Sequence, residues 1–140
     1  MASSERFQTK DLDMTSFTHI AIGTNDVERA REFYDAVLAT LGWTRLADLG
    51  DSGSMWGDGR PSLMVAMPRD GNPATVGNGM TVSFEASNHA AVRAFHGAAL
   101  AFGSPDEGPV GPRPWAPSAL AAYTRDPDGN KLAVYCLRLS

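Results

Sequence analysis

The sequence predicts an α+β fold made of two tandem β-α-β-β-β units, on three observations. Two stretches alternate in the manner of half-buried strands and each runs into a helical period. A shift of 62 residues superposes the first strand and helix on the second without a gap. The 140 residues are 43% hydrophobic and 20% charged, enough for one core and far from a disordered composition.

Each element follows from its residues. Residues 1–15 are polar and aperiodic and read as a flexible N-terminal lead-in, so the single domain spans 16–140. Thr18 to Ile22 alternates and is rich in β-branched residues, as a half-buried strand is. Asn25 is placed to cap the first helix, with Glu28 as its capping-box partner. Val27, Ala30, Phe33, Tyr34, Val37, Leu38 and Leu41 then recur at helical spacing, and Gly42 supplies the stop. The charged residues opposite, Arg31 among them, read as a solvated face. Strand-like pieces follow at Trp43–Leu49, around Met55-Trp56 and at Ser62–Met67, with a reversal at 57–61. The first unit is therefore 16–68, and the glycine-rich stretch 69–79 is a linker.

In the second unit, 80–138, Met80–Phe84 matches Thr18–Ile22, while Arg93, Phe95, Ala98 and Leu100 fall on Arg31, Phe33, Ala36 and Leu38. Ser87 or Asn88 caps the second helix and Gly103 ends it. A long proline-rich loop is expected from Ser104 to Pro117. A hairpin closes the unit: Ala121–Thr124 and Leu132–Leu137 around Asp126-Pro127-Asp128-Gly129-Asn130, where Pro127 fixes φ and Gly129 accepts a positive one.

Composition excludes several classes. A formal charge of −4 argues against nucleic acid as a partner and, more weakly, against an anionic membrane surface. No apolar run approaches the ~20 residues of a membrane span, and residues 1–10 lack the apolar segment of a secretory signal, so none is expected. Cys136 is the one cysteine, so an internal disulfide is excluded and a cytoplasmic location is the expectation. By strand parity Cys136 faces the core.

His19 on the first strand, Arg31-Glu32-Phe33-Tyr34 on the helix and Asp126-Pro127-Asp128-Gly129-Asn130 before the last strand, set in a half-length repeat, resemble the vicinal oxygen chelate superfamily. That superfamily includes glyoxalase I, extradiol dioxygenases and bleomycin-resistance proteins. The resemblance covers residues 16–138. It implies that the two units curl into an incomplete curved-sheet barrel around a cleft, that a homodimer forms, and that enzymes of the family hold a divalent metal there. Of the positions that match the family's metal ligands, only His19 keeps a ligand-type side chain. Its repeat partner is Thr81, the last-strand position is Ala133, and the first-unit counterpart is Met64 or Val65. Glu85 shares the parity of Thr81 but lies four residues on, roughly 13 Å away at ~3.3 Å per residue. No cofactor is therefore expected.

Parity turns His19, Thr81, Ser83, Ala133 and Tyr135 toward the cleft, and Trp56, Met80, Arg113 and Trp115 are the rim candidates. The proline-rich segment with Arg113 and Trp115 reads either as a rigid lid or as cover for a sheet edge. His19 is the one candidate acid or base. His89 reads as a surface imidazole, and His96, aligned with Tyr34, as a packed one. The expected function is a bleomycin-resistance-like protein that binds a small organic molecule, cationic or aromatic, in the cleft between the two units, without a tightly held metal. The alternatives are a metal-dependent lyase or isomerase of the lactoylglutathione lyase type, a dioxygenase-like enzyme, or a structural or regulatory dimer without a ligand.

Overall fold

The structure is a computed structural model that describes residues 16–139. The duplication is visible in its topology. The first unit runs β1 (Ile20–Gly23), α1 (Val27–Ala39), β2 (Thr44–Asp48), β3 (Gly53–Gly57) and β4 (Pro61–Ala66). The second runs β5 (Val82–Glu85), α2 (His89–Ala101), β6 (Gly108–Arg113), β7 (Ala116–Arg125) and β8 (Lys131–Cys136). Each unit forms a four-stranded sheet, β1-β4-β3-β2 and β5-β8-β7-β6, with one parallel pair beside antiparallel ones. The two sheets remain open, as an incomplete barrel requires.

Both helices pack into one core shared by the units. Phe33, Tyr34, Val37 and Leu38 of α1 and Val92, Phe95 and Ala99 of α2 meet the inward row of each sheet, including Leu63, Val65, Leu132 and Val134. The rows expected to face inward, Val82 with Phe84 and Leu132 with Val134 and Cys136, do so. Trp43 of the first unit meets Phe84 of the second edge-on, with ring centroids 5.5 Å apart.

Asp26, not Asn25, caps α1: its Oδ1 accepts from Arg29 N at 3.1 Å. Asn25 is otherwise engaged. Its amide bonds both backbone groups of Ala74, at 3.0 and 2.7 Å, and so pins the linker. Glu28 pairs with Arg31 (3.2 Å) and forms no capping box. Asn88 is the cap of α2, accepting from Ala91 N at 2.8 Å. Nor is Arg31 solvated. Its guanidinium reaches Ser54 Oγ (2.8 Å) and the carbonyls of Gly50 (2.6 Å) and Gly53 (3.0 Å), clamping α1 to the β2–β3 turn.

The segment expected as a loop from Ser104 to Pro117 is largely β6, a tight turn and the start of β7. Arg113 pairs with Ala116 and Gly108 with Tyr123. Prolines are compatible with this strand because it is the edge of its sheet, where an absent N–H leaves no ladder bond unmade. The register is accordingly irregular.

The β7–β8 turn does more than reverse the chain. Asp126, 4% exposed, accepts from the Tyr34 hydroxyl (2.6 Å), from Asn130 Nδ2 (2.9 Å) and from the backbone N–H groups of Asp128 and Asn130. Asn130 Nδ2 also donates to Gly23 O (3.0 Å), and Asp128 accepts from Thr24 Oγ1 (2.5 Å) and Asn25 N (2.8 Å). A turn of the second unit is thereby bolted to β1 and α1 of the first.

Burial raises the carboxyl pKa of Asp126, against the opposing pull of its hydrogen bonds. A raised folded-state pKa means that the native state holds the proton more tightly than the unfolded chain. This contribution to stability is full below the unfolded-state pKa and is lost as pH rises through the folded one. The stability difference between the wild type and Asp126→Asn should therefore shift against the wild type as pH rises from ~4. Urea midpoints of both proteins across pH check this; a difference that moves the other way contradicts it.

Candidate functional site

A cluster of polar and aromatic side chains lies on the face of the second sheet turned away from the core. Register dictates which residues meet there. Ser83 of β5, Ala133 of β8 and Tyr123 of β7 are cross-strand partners, so all three point to the same face. Lys131 and Tyr135, two residues to either side of Ala133, share that face. The β6–β7 turn folds over its edge and brings Arg113 and Trp115 alongside. Thr81, Ser83, Glu107, Gly108, Pro109, Arg113, Trp115, Tyr123 and Lys131 together line a cleft of about 560 Å³.

The walls are cross-braced. Trp115 Nε1 donates to the Tyr135 hydroxyl at 3.1 Å, and the Tyr135 and Tyr123 hydroxyls are hydrogen-bonded to each other. Arg113 and Lys131 flank the Tyr123 ring, with Cζ and Nζ 5.3 and 5.2 Å from its centroid. Desolvation first, then the bond to Tyr135 and its charge, push the Tyr123 phenol up to about 12, with Arg113 pulling the other way. At neutral pH Tyr123 is a neutral hydroxyl.

All nine lining residues belong to the second unit, so this cleft is not the space between the units that the sequence led us to expect. Of the residues expected there, Thr81, Ser83, Arg113 and Trp115 line this one. Ala133 lies beneath, its methyl buried between Ser83 and Tyr123, and Tyr135 braces the wall. Trp56 does not belong there. It is 1% exposed in the core, its ring 5.4 Å from that of Tyr34 and its Nε1 donating to Asp35 at 2.9 Å. Pairing decides this: Trp56 lies opposite Leu63 and so takes the inward face. Met80, 46% exposed, sits in a separate shallow depression with Gly77 and Asn130.

His19 opens onto a neighbouring groove of about 240 Å³ between β1 and β5, with Ser62, Ser83 and Glu85, and its Nδ1 is 3.1 Å from Thr18 Oγ1. Ser83 borders both spaces. His96 is buried and bonds Asp106 at 3.1 Å, while His89 meets Arg138 O at 3.0 Å. The corresponding face of the first sheet, with Ala21, Met64 and Ala66, is flanked by Pro68 and by linker residues between 69 and 75. Sequence reasoning missed Tyr123, Glu107 and Lys131. Lys131 was legible, since it has the parity of Ala133 and Tyr135; Tyr123 needed the β7–β8 register.

Residues 16–134 match the model of the Glyoxalase/Bleomycin resistance protein/Dioxygenase superfamily. The chain belongs to this superfamily. A solved glyoxalase/bleomycin resistance protein from Albidiferax ferrireducens T118 is 37% identical over 87% of this chain and 98% of its own, with a TM-score of 0.79. A lactoylglutathione lyase from Agrobacterium tumefaciens is 22% identical over 89% of this chain and 95% of its own (TM-score 0.64), which shows a shared fold alone. The same holds for a glyoxalase-related enzyme from Fulvimarina pelagi, 18% identical over 88% of each chain, with a TM-score of 0.70. No curated protein matches significantly.

The metal of the superfamily's enzymes can be tested against the donors present. Under the 62-residue repeat, the pair Ser83–Ala133 corresponds to Ala21–Met64. Met64 is thus the counterpart of Ala133, whereas Val65 faces the core. The matching positions hold an imidazole, a thioether, a hydroxyl and a methyl. Among the described residues no three His, Cys, Asp or Glu side chains converge. That donor set does not fit a divalent cation, which needs three or more nitrogen, oxygen or thiolate ligands.

Proposed function

We propose that this glyoxalase/bleomycin-resistance superfamily member binds a small organic molecule in the cleft of its second sheet and does so without a tightly held catalytic metal. The observation that carries the reading is the cleft itself. It is a space of about 560 Å³ whose aromatic wall is fixed by the Trp115–Tyr135–Tyr123 hydrogen bonds. A few placed polar groups on an aromatic wall are what ligand pockets use for orientation and affinity. Pre-formed bracing lowers the ordering cost of binding. His19, in the groove beside it, is not needed for this contact.

The test is thermal shift against a library of planar aromatic compounds, with metal content measured before and after chelator treatment. A ligand at 100 times its Kd stabilises by about 2.7 kcal/mol, on the order of 10 °C for a chain of this size. Ser83→Trp, which fills the cleft from its floor, should abolish the shift; His19→Ala should leave it intact. A shift that survives Ser83→Trp places the ligand elsewhere. Stoichiometric metal retained after EDTA overturns the metal-free reading.

The protein is further proposed to be a homodimer. Supporting this, edge strand β2 is exposed along its length and carries Leu46, with Leu49 just beyond. Light scattering at micromolar concentration should give twice the chain mass, and a monomeric mass refutes it.

A further inference from the structure

We infer that the cleft ligand is an anion, a carboxylate carried on a planar aromatic ring; this rests on the cleft being the binding site. The whole chain has a charge of −4, which favours a cationic ligand, but the cleft has the opposite sign. Two cations line it, Arg113 and Lys131, and among the described residues neither has a carboxylate within ion-pair distance. The carboxylate on the wall, Glu107, is neutralised by Arg125, with Nε to Oε1 at 2.9 Å. The local surplus is therefore positive.

Both cations are held in place before any ligand arrives. Arg113 spends three N–H bonds on the carbonyls of Pro109, Gly111 and Pro112, at 2.9 to 3.0 Å, which fixes its plane. Lys131 is held over the Tyr123 ring. A guanidinium has five N–H groups, so Arg113 keeps donors for a guest. Charge-assisted hydrogen bonds to a carboxylate are about twice as strong as neutral ones. The hydroxyls of Thr81 and Ser83 lie on the same wall, and the exposed Trp115 indole offers a flat face to a ring. A cationic guest meets two like charges instead, a direct electrostatic penalty.

Three isosteric probes separate the possibilities by calorimetry: 2-naphthoate, its neutral amide and 2-naphthylmethylammonium. The expected result is that 2-naphthoate binds about 10-fold or more tightly than the amide, a difference that ~0.5 M salt erodes. The ammonium should bind weakest. Lys131→Met should bring the naphthoate within about threefold of the amide, the ratio of the two affinities being the readout. Lys131→Gln is the companion variant should the methionine disturb the sheet, with circular dichroism to verify folding. Equal affinity for the three probes, or an anion preference that survives both variants, overturns the inference while leaving the cleft a binding site. Failure of the wild type to bind any of the three at ~10 mM, a Kd weaker than drug-like contacts give, instead refutes the reading of the cleft.

Discussion

Asp126→Ala should lower the thermal midpoint by roughly 12 °C. The carboxylate is buried and takes four hydrogen bonds: two from the side chains of Tyr34 and Asn130, two from backbone N–H groups of its own turn. Truncation leaves the Tyr34 hydroxyl and the two turn N–H groups without that acceptor, while Asn130 Nδ2 keeps Gly23 O. A buried orphan costs about 1–3 kcal/mol and a part-buried one less, since water repairs part of it. A net loss of about 4 kcal/mol is a large share of the 5–15 kcal/mol that stabilises a typical domain. At about 3 °C per kcal/mol for a chain of this length, the midpoint falls accordingly. Tyr34→Phe removes one of the four bonds and should cost about 1–2 kcal/mol. Because the two residues touch, their effects should be non-additive, and a double-mutant cycle reads the coupling. A loss under about 1 kcal/mol for Asp126→Ala, or strict additivity, means that the Asp126 turn does not join the two units.

Trp56→Ala should be of similar size for a different reason. The indole is the largest side chain in the core, packed against Tyr34 and tethered to Asp35. Truncating a buried tryptophan costs about 3–5 kcal/mol, through lost transfer energy and the cavity left behind. Trp56→Phe keeps most of the packing and should cost less, since Asp35 is partly exposed and retains Arg45 at 3.1 Å. The informative readout is binding. Probe affinity of Trp56→Phe should stay within about twofold of wild type, because the residue is buried on the core side of the first sheet whereas the cleft lies on the second. A large loss of affinity with little loss of stability would restore it as a contact residue.

Much of the fold was legible because local physics sets it. Periods of two and 3.6 gave the strands and helices, Gly42, Gly103 and Gly129 adopt the positive φ their positions called for, and the repeat exposed the two-unit plan. The misreadings share one cause. Asn25 has the chemistry of a cap, but Ala74, far along the chain, claims it. Four prolines between Ser104 and Pro117 look like a loop, yet pairing with β7 makes most of that segment an edge strand. Arg31 has a helix-surface position and becomes a clamp because the β2–β3 turn passes over it.

The sequence by itself determined the elements, their duplication and the inward rows of the second sheet, since each depends on residue type and near-neighbour spacing. Only the tertiary structure decided which groups share a space. Trp56 went to the core, His19 to a separate groove, and Tyr123 and Lys131 joined Arg113 in a positively charged cleft. Cross-strand register and the closing of turns across units set those proximities, and neither is written in the spacing of one segment.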